Sequence, residues 1–233
     1  MKTLRPLVCI FLFCTSCTEL QQVVNQLPSG EVSSAEIAAG LKQALQFGVN
    51  QGVDLLHKED GYFKDEAVRI LLPEELKKVD QGLRKIGLGN LADEGLKVLN
   101  RAAEDAVVEA KPIFVKAITD FTFDDAKRIL TSQNDLEATL YLQNTTSSAL
   151  QAAFSPKIDA SLSKVGADRI WAEIISKYNS IPLVQPVNPD LTGYVTEQAI
   201  KGLFVKVGDK EKEIRNSVGA RTTALLQKVF ALQ

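Results

Sequence analysis

The sequence predicts an all-α fold, a single-domain bundle of about nine helices with one short extended arm near residues 62–72. Two observations lead to this prediction. Apolar residues recur at spacings of three and four along most of the chain, most strongly over residues 111–154, where three such runs follow one another. Helix-capping signals precede several of the runs, as in the S-x-x-E box formed by Ser33 and Glu36.

In the first half of the chain, a proline, a glycine and a change in the spacing of apolar residues mark where the predicted elements begin and end. Helices are predicted over residues 33–56, 73–87 and 91–110. Pro73 suits a first helical turn, and Gly87 suits a helix end. Between the first two helices, Val68, Ile70 and Leu72 alternate with Arg69 and Leu71, which favours a short extended arm.

The second half continues the helical pattern with one irregular interruption. Helices are predicted over residues 111–121, 122–130, 136–154, 155–165, 170–178, 190–214 and 220–230. The third of these has a seam through Leu140, Gln143 and Ser147, in steps of three and four. Ser155 and Pro156 resemble an N-cap followed by a first turn, so a new helix is expected to begin there.

The N-terminal residues 1–17 are predicted to form a secretory signal peptide. The segment has a basic start, an apolar run over residues 7–13 that is too short to span a bilayer, and small residues before Cys17. Its end resembles the lipobox of bacterial lipoproteins, in which the cysteine after the cleavage site is acylated. Cys17 is therefore the predicted lipidation site, and ordinary signal cleavage nearby is the alternative.

The rest of the chain divides into a tether and a folded body. Residues 18–32 are polar and typical of a flexible linker, and residues 33–233 are predicted to form one helical domain. All three cysteines lie at or before Cys17, so this domain is predicted to contain no disulfide and no thiolate metal site.

Charge and residue counts exclude several classes of function. The formal net charge of −2 is spread without a block of one sign, which argues against a nucleic-acid partner. His57 is the single histidine, and it excludes sites built from clustered histidines. No glycine-rich phosphate loop follows a predicted strand. The sequence therefore predicts no cofactor and no metal.

Two groups of residues are candidates for a site. Asn100, Arg101 and Glu104 lie on an alanine-rich helix and could form a polar centre with Arg221, although a structural ion pair is the commoner explanation for such residues. The second group is the proline-rich apolar segment between residues 179 and 189, which we expect to act as a lid or docking loop. Its apolar residues are Ile181, Leu183, Val184 and Val187.

Several segments together resemble the bacterial family called domain of unknown function 4197. They are SAEIAAGL at Ser34–Leu41, KEDGYFKDEAVRILLPEEL at Lys58–Leu76, NRAAEDAVVEAKPIF at Asn100–Phe114, YVTEQAIKGLF at Tyr194–Phe204 and ARTTALLQKVF at Ala220–Phe230. Similar members are exported and often predicted as lipoproteins, which agrees with the interpretation of Cys17. The resemblance implies no activity and no catalytic residues.

These observations favour an exported lipoprotein that faces the periplasm and binds a protein partner or an apolar ligand. Thr18 after Cys17 resembles the pattern for outer-membrane delivery, and a soluble periplasmic protein is the alternative location. A hydrolase using carboxylates such as Asp124 or Glu104, and a structural spacer of the envelope, remain alternative functions. An enclosed apolar cavity above ~300 Å³ would favour a ligand, and a polar cleft with converging acids would favour the enzyme. A solid core with one exposed apolar patch would favour a protein partner.

Overall fold

The computed structural model describes residues 32–233 except 73–76, 78–80, 82–83, 86, 88, 181, 184 and 189. Outside the described residues lie the predicted signal peptide with Cys17, the tether up to residue 31, most of the predicted 73–87 helix, Ile181 and Val184. Residues 33–233 form one compact unit.

The all-α class is confirmed, since the described residues contain helices, turns and irregular segments and no strand. The described α-helices are α1 (Ser34–Leu56), α2 (Gly89–Ala106), α3 (Ala110–Thr119), α4 (Phe123–Thr131), α5 (Glu137–Lys164), α6 (Ala167–Asn179), α7 (Leu191–Asn216) and α8 (Ala224–Phe230). Short 3₁₀ helices at Val107–Glu109 and Val218–Ala220 join α2 to α3 and follow α7. The predicted capping boxes form at Ser33 with Glu36 and at Thr122 with Asp125.

The described part has fewer separate helices than the nine expected, because the predicted break at Ser155 does not occur. α5 continues through Pro156 to Lys164. A proline inside a helix costs about 3 kcal/mol. Phe154, Ile158 and Leu162 lie on one fully buried stripe around it, and each buried side chain contributes roughly 1.5–3 kcal/mol. Burial on both sides of the proline thus outweighs the local cost.

The buried stripe of α5 differs from the predicted seam by about one position. Leu140 and Gln143 are exposed, whereas Thr139, Leu142 and Thr146 are buried. The Thr146 hydroxyl donates to the Leu142 carbonyl oxygen at 2.6 Å, a local bond that lets a threonine face the core. The prediction of hydroxyl groups within the seam is correct, but Thr139 and Thr146 supply them in place of Ser147.

The two long helices α1 and α7 pack in antiparallel directions at the centre of the bundle. A Cβ placed on Gly48 would lie 3.7 Å from the Lys210 Cβ, and one on Gly52 would lie 3.4 Å from the Lys206 Cβ. These glycines bring the two helices close together. α5 packs against α7 and α2, while α3, α4 and α8 pack against α1.

The extended arm predicted near residues 62–72 is replaced over its first part by turns. Turns occupy residues 61–64 and 66–68, and residues 69–72 have no regular structure. Tyr62, Val68 and Ile70 are nevertheless buried. Since no neighbouring strand pairs with this segment in the described part, its buried backbone groups need partners from side chains.

Candidate functional site

The predicted polar centre begins with Asn100, which is fully buried on α2. Its side-chain oxygen accepts a hydrogen bond from the Ile70 amide at 2.8 Å. Its side-chain nitrogen donates to the carbonyl oxygens of Ile70 at 2.9 Å and of Leu96 at 2.8 Å. The amide group therefore pairs with Ile70 in both directions, as a neighbouring strand would, and holds the irregular segment on the bundle.

Glu104 lies one helical turn after Asn100 on α2, and it binds the turn that contains Tyr62 and Phe63. Its Oε1 accepts hydrogen bonds from the amides of Tyr62 at 3.1 Å and Phe63 at 3.4 Å. The Tyr62 hydroxyl donates to the Ala199 carbonyl oxygen at 2.8 Å. Burial, with a smaller contribution from the nearby Glu104 charge, raises the pKa of the Tyr62 hydroxyl far above its usual range. This phenol therefore stays neutral and has a structural role.

Arg101 completes the centre at the surface. Its Nη1 binds Glu104 Oε2, and its Nη2 binds Asp60 at 2.6 Å and Glu59 at 2.9 Å. Partial burial acts to lower the pKa of Arg101, but the hydrogen bond to Glu104 and the surrounding carboxylates raise it overall. A hydrogen bond from Lys64 is the main cause of the lowered pKa of Asp60. Each of these charges faces an opposite charge, so the group is an ion-pair network.

Arg221, the fourth predicted member, lies in a different cluster. Its Nε donates to the Ile214 carbonyl oxygen at 3.0 Å, and its Nη2 donates to the Arg215 carbonyl oxygen at 2.8 Å. Its guanidinium carbon lies 5.9 Å from the centre of the Phe230 ring. Within the described chain, no bond joins Arg221 to Asn100, Arg101 or Glu104, so it secures the end of α7 near α8 instead.

A second polar cluster, which sequence reasoning missed, lies near the C-terminal end of α7, beside the carbonyl groups that Arg221 binds. The Glu211 carboxylate accepts hydrogen bonds from the amides of Ala138 at 2.9 Å and Thr139 at 2.7 Å, at the start of α5. Arg215 binds the same carboxylate through Nε at 3.0 Å and Nη2 at 2.9 Å. Arg215 Nη2 also donates to the Ile129 carbonyl oxygen at 3.0 Å. The pair therefore connects α4, α5 and α7.

A weak signal for this cluster is present in the sequence. Val207, Glu211 and Ile214 recur at spacings of four and three, which places the acid on the inward stripe of α7. The segment KEKEIR around them resembles an exposed charged helix end, and this resemblance hides the signal.

The described residues enclose little empty space. A cavity of about 20 Å³ lies between α1 and α7, lined by Leu41, Phe230, Glu211 and Arg215 among others. The larger depressions are open to solvent. One of about 550 Å³, which we name the α2–α5 groove, has Val98 and Ala102 of α2 facing Ala160 of α5 and Val165 just after it.

A family model described as Protein of unknown function (DUF4197) matches residues 31–231. The chain belongs to the DUF4197 family. The resemblance drawn from segments such as Ser34–Leu41 is thereby confirmed. No curated protein and no solved structure matches the chain significantly. The family description names no reaction, so the chemistry of this DUF4197 protein has to be argued from its own residues.

The apolar loop of the DUF4197 protein is divided between a buried and an exposed part. Val187 is buried, and its amide and carbonyl bind the Asn179 side chain at 2.8 Å each. Leu183 is fully exposed, with φ of 68°, a conformation that leucine rarely adopts. The loop is therefore held at Val187, and its role as a lid or docking surface stays a prediction.

The remaining candidates for chemistry in the DUF4197 protein, His57 and Asp124, are exposed. The described part contains no group of three or more histidine, cysteine, aspartate or glutamate residues placed to hold a metal ion. His57 is exposed just after α1, with Nδ1 3.0 Å from the Glu104 carbonyl oxygen. Asp124 is exposed in the first turn of α4. Among the described helices, none is long and apolar enough to cross a bilayer.

Proposed function

We propose that this DUF4197 protein is an exported lipoprotein of the bacterial envelope whose helical body binds a protein partner. The observation that carries the binding part is the close packing of the described core, where the cavity between α1 and α7 measures about 20 Å³. A cavity of that size holds about one water molecule. Ligand pockets typically measure about 300–1,000 Å³, so this cavity has no room for an apolar ligand.

The arrangement of the acids argues against a hydrolase. Both oxygens of Glu104 accept hydrogen bonds, from the Tyr62 and Phe63 amides and from Arg101. Asp124 is exposed on a separate helix. A carboxylate-dependent hydrolase of the glycosidase type needs two carboxyl groups that converge on one cleft. The described residues use Glu104 as a backbone acceptor, which supports a binding role over a catalytic one.

The location rests on the N-terminal sequence. The small residues before Cys17 and the polar residues 18–32 suit an acylated cysteine followed by a tether. Thr18 suits delivery to the outer membrane with the body facing the periplasm. A cleaved protein without a lipid would be the soluble periplasmic alternative.

Mass spectrometry of the natively exported protein tests the proposal. We expect an acylated Cys17 at the mature N-terminus and no stoichiometric lipid in the body. Cys17→Ala should move the protein from the membrane fraction to the soluble fraction without changing its circular dichroism. An unmodified N-terminus would overturn the anchor, and a lipid bound in a one-to-one ratio within the Cys17→Ala protein would overturn the protein-binding role.

A further inference from the structure

We propose that the α2–α5 groove is the docking site for the partner and that it takes an acidic amphipathic segment. This inference rests on the proposed binding function and adds the place and the chemistry of the contact. The groove is open and measures about 550 Å³. A trough between two packed helices is a common seat for an amphipathic helix of another protein.

The floor of the groove is apolar and partly accessible. Of the residues that line it, Val98 is half-buried, Ala160 is exposed and Ala102 is buried, while Val165 at one end is 55% exposed. At the opposite end, Ser161 Oγ donates to Asp105 Oδ2 at 3.1 Å, which joins α5 to α2. Because small residues form the floor, an apolar side chain of a partner can reach the helix surfaces.

The charges along the groove favour an acidic partner. Its lining contains the basic residues Lys97, Arg101, Lys157 and Lys164 and the acidic residues Glu94 and Asp105. Arg101 and Lys157 already have carboxylate partners in Glu104 and Glu109. Lys97 and Lys164 make no ion pair within the described residues, and both flank the exposed Val165 end. Two free cations beside an apolar surface complement glutamates beside leucines.

The position of the groove favours a protein over a bilayer. Its Val165 end follows α5, where Asp159 binds Thr192 at the start of α7 at 3.2 Å. The first helix starts at the other end of α7, where Leu41 and Ile214 line one cavity. The 22 residues from Thr192 to Ile214 span roughly 33 Å at 1.5 Å per residue. The first described helix thus begins far from this end of the groove.

Binding of designed peptides to the full chain carrying Cys17→Ala tests the proposal. The probes are fluorescent peptides of 18 residues with leucines at helical spacing and glutamates elsewhere, a second peptide with lysines in place of the glutamates, and a third with the leucines dispersed. By anisotropy at low salt, we expect the acidic amphipathic peptide to bind at least ten times more tightly than either of the others. Equal binding of the lysine peptide would overturn the charge argument.

Matched variants locate the site. Lys97→Glu combined with Lys164→Glu should weaken binding of the acidic peptide about tenfold. The control, Lys127→Glu with Lys212→Glu, makes the same charge change at two exposed lysines of α4 and α7 without ion pairs in the described chain, and it should bind normally. Equal loss in both variants would remove the groove as the site. Thermal melting checks that all variants fold.

Two further measurements address other occupants of the groove. The first is flotation of the protein with vesicles of phosphatidylglycerol and phosphatidylethanolamine. If the protein floats, the groove variant does not, and no peptide binds, the groove would be assigned to anionic lipid and the proposal overturned. A dimer in analytical ultracentrifugation that the groove variant dissociates would assign it to a second copy and also overturn it. An unmodified Cys17 in the native protein would leave the peptide result intact, so failure of the anchor and failure of the groove are distinguishable.

Discussion

The two polar clusters of the bundle use the same pair of residue types in different surroundings. In each, a buried glutamate accepts backbone amides and also binds an arginine on its own helix. The Arg101 side chain is 28% exposed and shares three carboxylates, whereas Arg215 is 3% exposed and shares one. Arg101 and Glu104 hold turns that lack regular structure, while Glu211 and Arg215 join helix ends. The loss of unfolding free energy on removing each glutamate should therefore depend on how many other carboxylates its arginine can still bind.

The largest effect is expected for Glu211→Ala. Arg215 would keep a charge with no carboxylate partner inside the core, and the amides of Ala138 and Thr139 would lose their acceptor. Breaking a buried pair in this way costs about 3–5 kcal/mol of unfolding free energy. Urea denaturation measures the loss. The control Glu213→Ala breaks only a surface pair with Lys210 and should cost less than about 1 kcal/mol; equal losses would mean that Arg215 gains water when its partner is removed.

Glu104→Ala should lower the free energy of unfolding by less, about 2–3 kcal/mol. Two backbone amides lose their acceptor, but Arg101 keeps its ion pairs with Glu59 and Asp60. The effect should also be local. Hydrogen exchange at the amides of Tyr62 and Phe63 should accelerate before global unfolding. Exchange that rises uniformly over the bundle would show that the two clusters behave alike and would remove the contrast between them.

Asn100→Ala extends the comparison to an uncharged partner. It leaves the Ile70 amide and carbonyl without their bonds, for a loss of about 1–2 kcal/mol in unfolding free energy. Asn100→Asp keeps the acceptor but removes the donor, so it separates the two bonds. Asn144→Ala, at an exposed position of α5, serves as the control and should be neutral. A neutral Asn100→Ala would mean that Ile70 bonds to water in the variant.

The smallest effect concerns Glu36, whose carboxylate binds Lys228 and the Ser33 cap. The hydrogen bond from Lys228 is the main cause that lowers the pKa of Glu36 from 4.5 to about 2. A carboxylate whose pKa is lower in the folded state stabilises the fold above the unfolded pKa and loses that contribution as pH falls through the folded one. The melting-temperature difference between wild type and Glu36→Gln should therefore shrink between about pH 5 and pH 2; a constant difference would contradict the assignment.

Much of the fold could be predicted because its signals are local. The capping boxes at Ser33 and Thr122 and the spacing of apolar residues indicate helices within a few positions. Pro156 misled the prediction because its local cost is outweighed by the buried stripe of α5, and that stripe depends on α2 and α7. The local sequence around Pro156 does not show that packing against other helices will offset the cost of the proline.

The candidate centre was predictable only in part for a similar reason. Asn100, Arg101 and Glu104 stand out because polar residues are unusual on an alanine-rich helix, and they do form one cluster. Arg221 shares their chemistry but lies elsewhere, since the pairing of separate helices cannot be inferred from residue type. Glu211 stands among lysines and other acids, so its burial could not be distinguished from an exposed position.

The contacts that complete the first helix come from the last residues of the chain. Lys228 binds Glu36 across 192 positions at 2.6 Å, and Thr223 binds Gln43 across 180 positions at 2.6 Å. α1 therefore cannot make all of its tertiary contacts until residues 223–228 have been synthesised. Contacts of such long sequence separation slow folding. A C-terminally truncated chain would leave the apolar face of α1 bare and would be a substrate for proteases.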